Sequence, residues 1–365
     1  VSDTIRVGVI GANAERGWAS ATHLPALAGL PGLELSAVAN TRAGVAARTA
    51  EQWGAAHSFT DPLELIEHPE VDLVAVSVQL PVREDLVAQV ISAGKHVYCE
   101  WPLGLDAVRA GRYRDLAEKA GVRSAIGLQG RQHPAIRLLR DLIAEGRIGE
   151  VLSATLSYSA STPGGNLLPQ RYGWLADRDK AVNTLTIVGA HALDMFRCAV
   201  GDFTELSATL ATRTPRMVIA ETGENITVTS PDHVLVQGVL ESGALATAQI
   251  LTGGLQGAGM RIEVYGREGR LVLEAENNWI ASSELYVGLA RAEHDVVRIA
   301  VPDIHRTVLP DEPPAVRNVG RVYTELAAAI HDGGRAEPDF GTAVELHRLI
   351  DAVNESADSG RRTTV

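Results

Sequence analysis

Lys95-His96-Val97-Tyr98-Cys99-Glu100-Trp101-Pro102-Leu103-Gly104 is the stretch on which the fold turns. It predicts a short strand over His96–Cys99, a tight proline turn, and a helix opening near Leu105-Asp106. In an open α/β sheet, ligands sit at the carboxyl ends of the strands. A strand that ends in Glu100-Trp101-Pro102 therefore delivers those side chains to a ligand cleft.

Upstream, residues 5–10 (IRVGVI) predict a buried strand closed by Gly11. A helix is expected over about 19–28, a strand over 33–40, a helix over about 45–53, a weak strand over 57–59, a strong strand over 73–78 and a helix over 82–93. Downstream come a helix over 106–119 and a strand over 123–128. Apolar strands alternating with helical periodicity specify a doubly wound parallel sheet. After Gln129 the pattern changes. A helix over 134–145 is followed by strands over 150–159, 203–212, 233–240, 244–251, 261–265, 270–274 and 296–301, several joined by short glycine turns. That is the grammar of an antiparallel sheet. A helix near 188–198 interrupts it, and helices over about 318–331 and 342–357 close the chain. Residues 162–168 and 302–314 read as loops. The expectation is an α/β chain: a dinucleotide-binding domain over 1–128, then an α+β domain over 129–365 with a large, mostly antiparallel open sheet.

The 365 residues carry 33 Lys+Arg against 45 Asp+Glu, a net charge of −12. That argues against nucleic acid or an anionic membrane as partner, since both need a basic face. Cys99 and Cys198 are the two cysteines, with no CxxC spacing, so neither a disulfide framework nor a structural metal site is expected. No basic-then-apolar leader and no apolar run of spanning length is present, and the expected location is the cytoplasm.

Strand 1 runs into Gly11-Ala12-Asn13-Ala14-Glu15-Arg16-Gly17-Trp18. Gly11 suits the tight turn. Asn13 stands where a second glycine is usual, and Asn tolerates φ > 0 best among non-glycine residues; the next glycine is delayed to Gly17. A helix N-terminus after such a turn offers amide N–H groups to a pyrophosphate. At the end of strand 2, an acidic residue would accept from the ribose 2′-OH of NAD. Here Asn40, Thr41 and Arg42 follow, and an amide, a hydroxyl and a guanidinium suit a 2′-phosphate better. The expected cofactor is NADP(H) in preference to NAD(H). Gly11, Asn13, Gly17, Trp18, Asn40, Thr41, Arg42, Ser77, Glu100, Trp101, Gln129 and Arg131 make up the expected cofactor set.

Together, Gly11 in its strand-turn-helix setting, Gly94-Lys95-His96-Val97 before Glu-x-Pro, Gln129-x-Arg131, Ile143-x-x-Gly146-x-Ile148-Gly149 and Gly189-x-His191-x-x-Asp194 resemble the Gfo/Idh/MocA oxidoreductases. Trp18 and His23 in a long first loop, Glu-Trp in place of Glu-Lys, Leu128-Gln129-Gly130-Arg131, and Ser230-Pro231-Asp232-His233 are similar to the branch of the yeast galactose-regulon inhibitor. The resemblance implies a Rossmann domain followed by an α/β domain whose open sheet forms a homodimer or homotetramer. It also implies hydride transfer between nicotinamide and a sugar, polyol or related carbonyl. The branch holds a regulator that binds a dinucleotide without known turnover, so a non-catalytic sensor acting through a partner protein is the alternative.

Hydride transfer needs a base in reach of the hydroxyl. In the family, the Lys of Glu-Lys-Pro and the Asp and His of Asp-x-Gly-x-His share that work. Here the lysine position is Trp101 and the Asp position is Ile187; only His191 remains. Trp offers an N–H donor with no acid/base capacity near neutral pH. His191 alone is the expected acid/base; the competing readings are that Lys180, Tyr172, Arg171 and Asp177, just before its helix, fill in, or that a non-redox lyase or hydrolase uses a retained nicotinamide. Trp101, Arg171, Trp174 and Asp194 are the expected substrate contacts, although aromatics at these places equally suit a core. His191 and Asp194 lie at i, i+3 and share a helix face.

Overall fold

Six strands account for the first alternation: β1 (Ile5–Ile10), β2 (Leu33–Ala39), β3 (His57–Phe59), β4 (Leu73–Val76), β5 (His96–Cys99) and β6 (Ser124–Ile126). All pair in parallel, in the order β3-β2-β1-β4-β5-β6. Their helices are α1 (Leu24–Gly29), α2 (Ala43–Trp53), α3 (Pro62–Glu67), α4 (Val82–Ser92) and α5 (Ala107–Ala120). A π-helical turn over Ala19–His23 precedes α1, where a single α-helix was expected. The computed structural model describes residues 4–80, 82–161, 166–178, 182–254, 256–292, 294–305 and 309–365.

The chain divides into two compact units: Val1–Gln129 with Thr307–His347, and Gly130–Arg306 with Arg348–Val365. A single boundary at 128/129 has no place for that return. Its cause is helix α8 (Pro314–Asp332), numbered after two helices of the second unit. Val319, Val322, Tyr323 and Leu326 of α8 are fully buried in one cluster with Val7, Leu24, Leu27, Leu73 and Tyr98. Each such side chain contributes about 1.5–3 kcal/mol by leaving water.

The second unit opens with α6 (Pro134–Ala144) and β7 (Val151–Ser161). It continues through β8 (Leu167–Leu168), α7 (Ala190–Val200), β9 (Phe203–Ala211), β10 (Arg216–Ile219), β11 (Asn225–Thr227), β12 (His233–Leu240), β13 (Leu245–Gly254), β14 (Gly259–Gly266), β15 (Gly269–Ala275), β16 (Leu285–Arg291) and β17 (Val297–Ile299). Helix α9 (Phe340–Ser359) spans the division at 347/348, and β18 (Thr363–Thr364) ends the chain. Nine strands form the large sheet, in the order β17-β16-β15-β14-β7-β13-β12-β9-β18. Every pair is antiparallel except β7 with β13. Strand β16 was not expected; its Gly288 and Ala290 dilute the apolar signal, and it is held by β15 and β17 on its two sides. The loop expected over 162–168 carries β8 at its end. Among the described residues, no helix is long and apolar enough to cross a membrane.

Candidate functional site

The first unit places the glycine turn at the carboxyl end of β1, beside the end of β4. Gly11 has φ +90°, and a β-carbon there would fall 2.3 Å from the Ser77 carbonyl oxygen. Only glycine fits so close a crossing of two backbones. Ser77 lies against the turn, its N–H donating to the Ile10 carbonyl at 3.0 Å. Asn13 does not use the left-handed region: Ala292 is the one non-glycine residue with positive φ among those described. Instead the Asn13 Oδ1 accepts from the Glu15 N–H at 3.0 Å, a local side-chain turn in place of a glycine. Gly17 takes φ +102° with open space around it, and the π-helical turn starts after Trp18.

At the end of β2, Asn40 turns inward. Its Nδ2 donates to the Ala12 carbonyl at 2.8 Å and its Oδ1 accepts from the Arg42 N–H at 3.2 Å. The amide thus ties the strand end to the glycine turn. Thr41 and Arg42 stay exposed beside it, with Arg42 at the start of α2.

The end of β5 is the most densely wired place in the unit. Arg83, buried on α4, donates from Nε to the Val78 carbonyl at 2.7 Å and from Nη1 to the carbonyls of Glu100 at 2.7 Å and Pro102 at 2.9 Å. Those bonds clamp the Glu-Trp-Pro turn, whose Trp101–Pro102 peptide is cis. The Glu100 Oε1 lies 2.8 Å from His23 Nε2, and His23 Nδ1 lies 2.8 Å from the Tyr323 hydroxyl. His23 has no exposed side chain, whereas that of Glu100 is 12% exposed. Burial, then the Glu100 charge, pushes the Tyr323 phenol well above its ordinary range. Burial also pushes the Cys99 thiol up to about 12, which makes it inert.

Trp101 is 4% exposed, and its ring lies against His347 with centroids 4.4 Å apart. Burial takes His347 down to about 4, so this partner is a neutral ring at pH 7. Trp101, expected as a wall for cofactor and substrate, thus packs on a ring of its own unit. Gln129 is buried, and its Oε1 has no hydrogen-bond partner.

In the second unit, Asn183 caps the turn that leads into α7. Its Oδ1 accepts from the N–H groups of Leu185 and Thr186. A π-helical turn over Thr184–Gly189 follows, carrying Ile187, and half-buried His191 sits in the first turn of α7. Asp194 is 1% exposed, and both its oxygens accept from Arg131: Nε at 3.0 Å and Nη2 at 2.5 Å. The two side chains, expected to serve substrate and cofactor, are bonded to each other here. They pin the short helix over Gln129–Gln132 to α7. Tyr172 and Trp174 share the turn over Gln170–Ala176, rings edge to face at 6.4 Å. Tyr172 packs on a small apolar cluster of Leu168, Ala176, Met217 and Val228. Arg171 lies on the same turn, and Lys180 lies outside the described residues. His57, His68 and Glu70 make the one group among the described residues with metal-ligand proximity. His57 Nε2 and Glu70 Oε2 there are joined at 2.6 Å.

Sequence reasoning missed His23 as a site residue, together with Tyr323, Arg83 and Gly127. A β-carbon at Gly127 would fall 2.5 Å from Glu100 Oε2. The available signal was a polar Thr22-His23 pair inside an otherwise apolar helical stretch.

Residues 5–128 match the oxidoreductase family with an NAD-binding Rossmann fold, and residues 134–275 match the Gal80p C-terminal domain. The galactose/lactose metabolism regulatory protein GAL80 of Kluyveromyces lactis is 26% identical over 304 residues, which cover 78% of this chain and 66% of that protein. The match thus spans about two thirds of the regulator's length. Levoglucosan dehydrogenase of Pseudarthrobacter phenanthrenivorans is 24% identical over 351 residues, covering 88% of this chain and 86% of the enzyme. The fold is shared with a super-repressor mutant of Gal80p from Saccharomyces cerevisiae (TM-score 0.86, 22% identity, 99% and 98% of the two chains). It is shared equally with a levoglucosan dehydrogenase in complex with NADH and levoglucosan (TM-score 0.84, 21% identity, 99% of each chain). The first domain is therefore similar to the oxidoreductase family with an NAD-binding Rossmann fold, and the second is similar to the Gal80p C-terminal domain.

Proposed function

We propose that the protein is an NADP(H)-dependent oxidoreductase acting on a sugar, polyol or related carbonyl compound, with His191 as its acid/base. The observation that carries this reading is the pairing of the Gly11 turn, closed to any side chain by Ser77, with the Glu100 carboxylate at the end of β5. Those are the two ends of a dinucleotide cleft. Exposed Thr41 and Arg42 at the end of β2, with no carboxylate among residues 40–42, support NADP(H) over NAD(H). The half-buried imidazole of His191 supports acid/base work, because its ordinary pKa is near neutral. The small-molecule substrate class rests on likeness to levoglucosan dehydrogenase. In that chemistry the carbinol hydride goes to nicotinamide C4 and the hydroxyl proton goes to the base.

A second reading has its own support. The lysine position is a buried tryptophan, and the second domain is similar to the Gal80p C-terminal domain. A sensor that holds a dinucleotide and signals through a partner protein needs neither lysine nor aspartate. In either case the open sheet supports a homodimer or homotetramer. Leu245 and Tyr265 both stand opposite Ser153 on one face, and both are exposed.

A nicotinamide absorbance screen separates the two. NADP+ is mixed with sugars and polyols, and NADPH with keto-sugars and other carbonyls. Turnover on any of them supports the oxidoreductase; tight cofactor binding with no turnover across the panel moves the assignment to the sensor.

A further inference from the structure

We propose that His57, His68 and Glu70 form a binding site for a divalent transition-metal ion of the zinc class, on the outer edge of the first sheet. The set shares no residue with the proposed cofactor set, and the inference holds for an enzyme or a sensor alike.

Two segments supply the ligands. His57 opens β3, the edge strand of the parallel sheet. His68 follows α3, and Glu70 lies two residues on, in the connection to β4. Pro69 between them fixes its own φ and biases His68 to extended backbone; His68 has φ −64° and ψ 129°. One ligand atom from each of the three residues lies within 4.8 Å of the other two. Zinc bonds of about 2.0–2.2 Å to nitrogen and oxygen set tetrahedral ligand atoms roughly 3.3 Å apart, so the side chains need only small turns to close on an ion.

The ligands are held in place by their surroundings. The His57 and His68 rings have centroids 4.2 Å apart, and Phe59 lies against them at 6.2 and 5.4 Å. The Glu70 carbonyl accepts from the Ser36 hydroxyl of β2 at 2.7 Å, and the His68 carbonyl accepts from Lys95 Nζ at 3.1 Å. The neighbouring cations are bonded elsewhere. Arg6 gives Nε and Nη2 to the two oxygens of Asp72, at 2.9 and 2.8 Å, and Lys95 also donates to the Val71 carbonyl at 2.7 Å.

In the metal-free chain a proton joins two of the three ligands: His57 Nε2 donates to Glu70 Oε2 at 2.6 Å. That hydrogen bond is the main influence holding the Glu70 carboxyl below its ordinary value, so it is ionised at neutral pH. The ion takes the place of this proton, which moves to Nδ1 of His57. The Glu70 side chain is 56% exposed and free to turn with it. The bond given up at His68 is long: its Nδ1 accepts from the Glu70 N–H at 3.3 Å. Two imidazoles with one carboxylate suit zinc and its first-row neighbours, whereas Mg²⁺ and Ca²⁺ take oxygen ligands. The cysteine count argues only against a thiolate site, and this set uses no thiolate. The ion would tie the edge strand to the turn before β4.

The test is calorimetric titration of the chelator-stripped full chain with Zn²⁺, and with Mg²⁺ as control. One Zn²⁺ per chain is expected to bind with a Kd of about 1 µM or tighter, and Mg²⁺ to give no binding heat at the same concentrations. His57→Phe and His68→Phe keep the ring packing, and Glu70→Gln keeps the side-chain shape. Each is expected to weaken Zn²⁺ by about a hundredfold, the upper end of what loss of even an outer-shell partner costs. A second measurement needs no variant. At free Zn²⁺ of about ten times its Kd, amide exchange in wild type is expected to slow by about tenfold at residues 57–59 and 70–71. A Zn²⁺ Kd weaker than about 100 µM would overturn the proposal. So would binding that all three variants leave unchanged, the mark of an adventitious ion only, held by others of the chain's 11 histidines. Exchange slowed at other residues and not at these would overturn it too.

Discussion

Nη1 of Arg83 donates to the carbonyl oxygen of Glu100 at 2.7 Å, so a buried cation on α4 holds the backbone of the Glu-Trp-Pro turn. Burial, the largest influence on it, pulls the guanidinium pKa down, with Cys99 and Glu100 opposing. Arg83→Met would take the guanidinium from three carbonyls and leave that of Glu100 with the weak Cys99 thiol donor. Unfolding free energy is expected to fall by about 3 kcal/mol or more, at roughly 1–3 kcal/mol per orphaned group. Arg83→Lys is expected to recover little, because an ammonium lacks the fork that reaches three carbonyls. Denaturant titration of the two variants reads both outcomes.

The Arg131–Asp194 pair calls for a double-mutant cycle. Breaking a buried pair from one side leaves an unpaired charge and costs about 3–5 kcal/mol. Arg131→Met and Asp194→Leu are each expected to destabilise by about that much. The double variant is expected to lose clearly less than the sum of the two. Additive losses would show that the two side chains contribute independently.

His191→Ala is expected to lower turnover by about a hundredfold or more, as loss of a general acid/base does. Its melting temperature should stay close to wild type, since the side chain is only half-buried. An unchanged rate on any substrate found by the absorbance screen would remove His191 from the mechanism.

The proposed NADP(H) preference can be inverted at the end of β2. Thr41→Asp with Arg42→Ala places a carboxylate beside the proposed adenosine ribose, removes the exposed guanidinium and keeps the Asn40 tie to Ala12. NADPH affinity is expected to fall by about tenfold or more and NADH affinity to rise. Side-by-side titration of wild type and variant reads the ratio.

His347 predicts a slope in acid. Burial lowers its folded-state pKa to about 4, with the Asp106 charge acting against the shift. The unfolded chain holds the ordinary value of 6.5, so between pH 6.5 and 4 the unfolded state binds the extra proton. Stability is therefore complete above pH 6.5 and declines as pH falls toward 4, by about 1.4 kcal/mol per pH unit. His96 and His305 are also lowered by burial and add to the same limb. His347→Phe, which keeps a ring against Trp101, should reduce the slope by about one proton and not abolish it. Denaturant midpoints at pH 7, 6, 5 and 4.5 measure it.

The strands of the first sheet were legible because each is a local apolar run, as in LVAV of β4, and parallel sheets bury both faces. The end of β5 was legible for the same reason, with Glu100 and Trp101 placed by the turn that follows. The partners of those residues were not. His23 and Glu100 are 77 positions apart, and His23 and Tyr323 are 300 apart. Neither pair leaves a periodicity. Arg83 sits on an amphipathic helix where a cation normally reads as a solvated face, yet it is 7% exposed. Asp194 misled in the opposite way: helical spacing pairs it with His191, while the fold brings in Arg131 from 63 positions upstream.

The return of α8 to the first unit bears on how the protein is made. Synthesis runs from the N-terminus, so the glycine turn, His23 and Glu100 leave the ribosome long before Tyr323 exists. Until α8 arrives, Leu24, Leu27 and Tyr98 lack part of their burial, and the His23 Nδ1 lacks its donor. The first unit thus waits for eight of the nine strands of the second unit's large sheet, through β17, to be translated. Premature termination within the second unit would therefore leave the nascent first unit sticky, a client for chaperones or proteases.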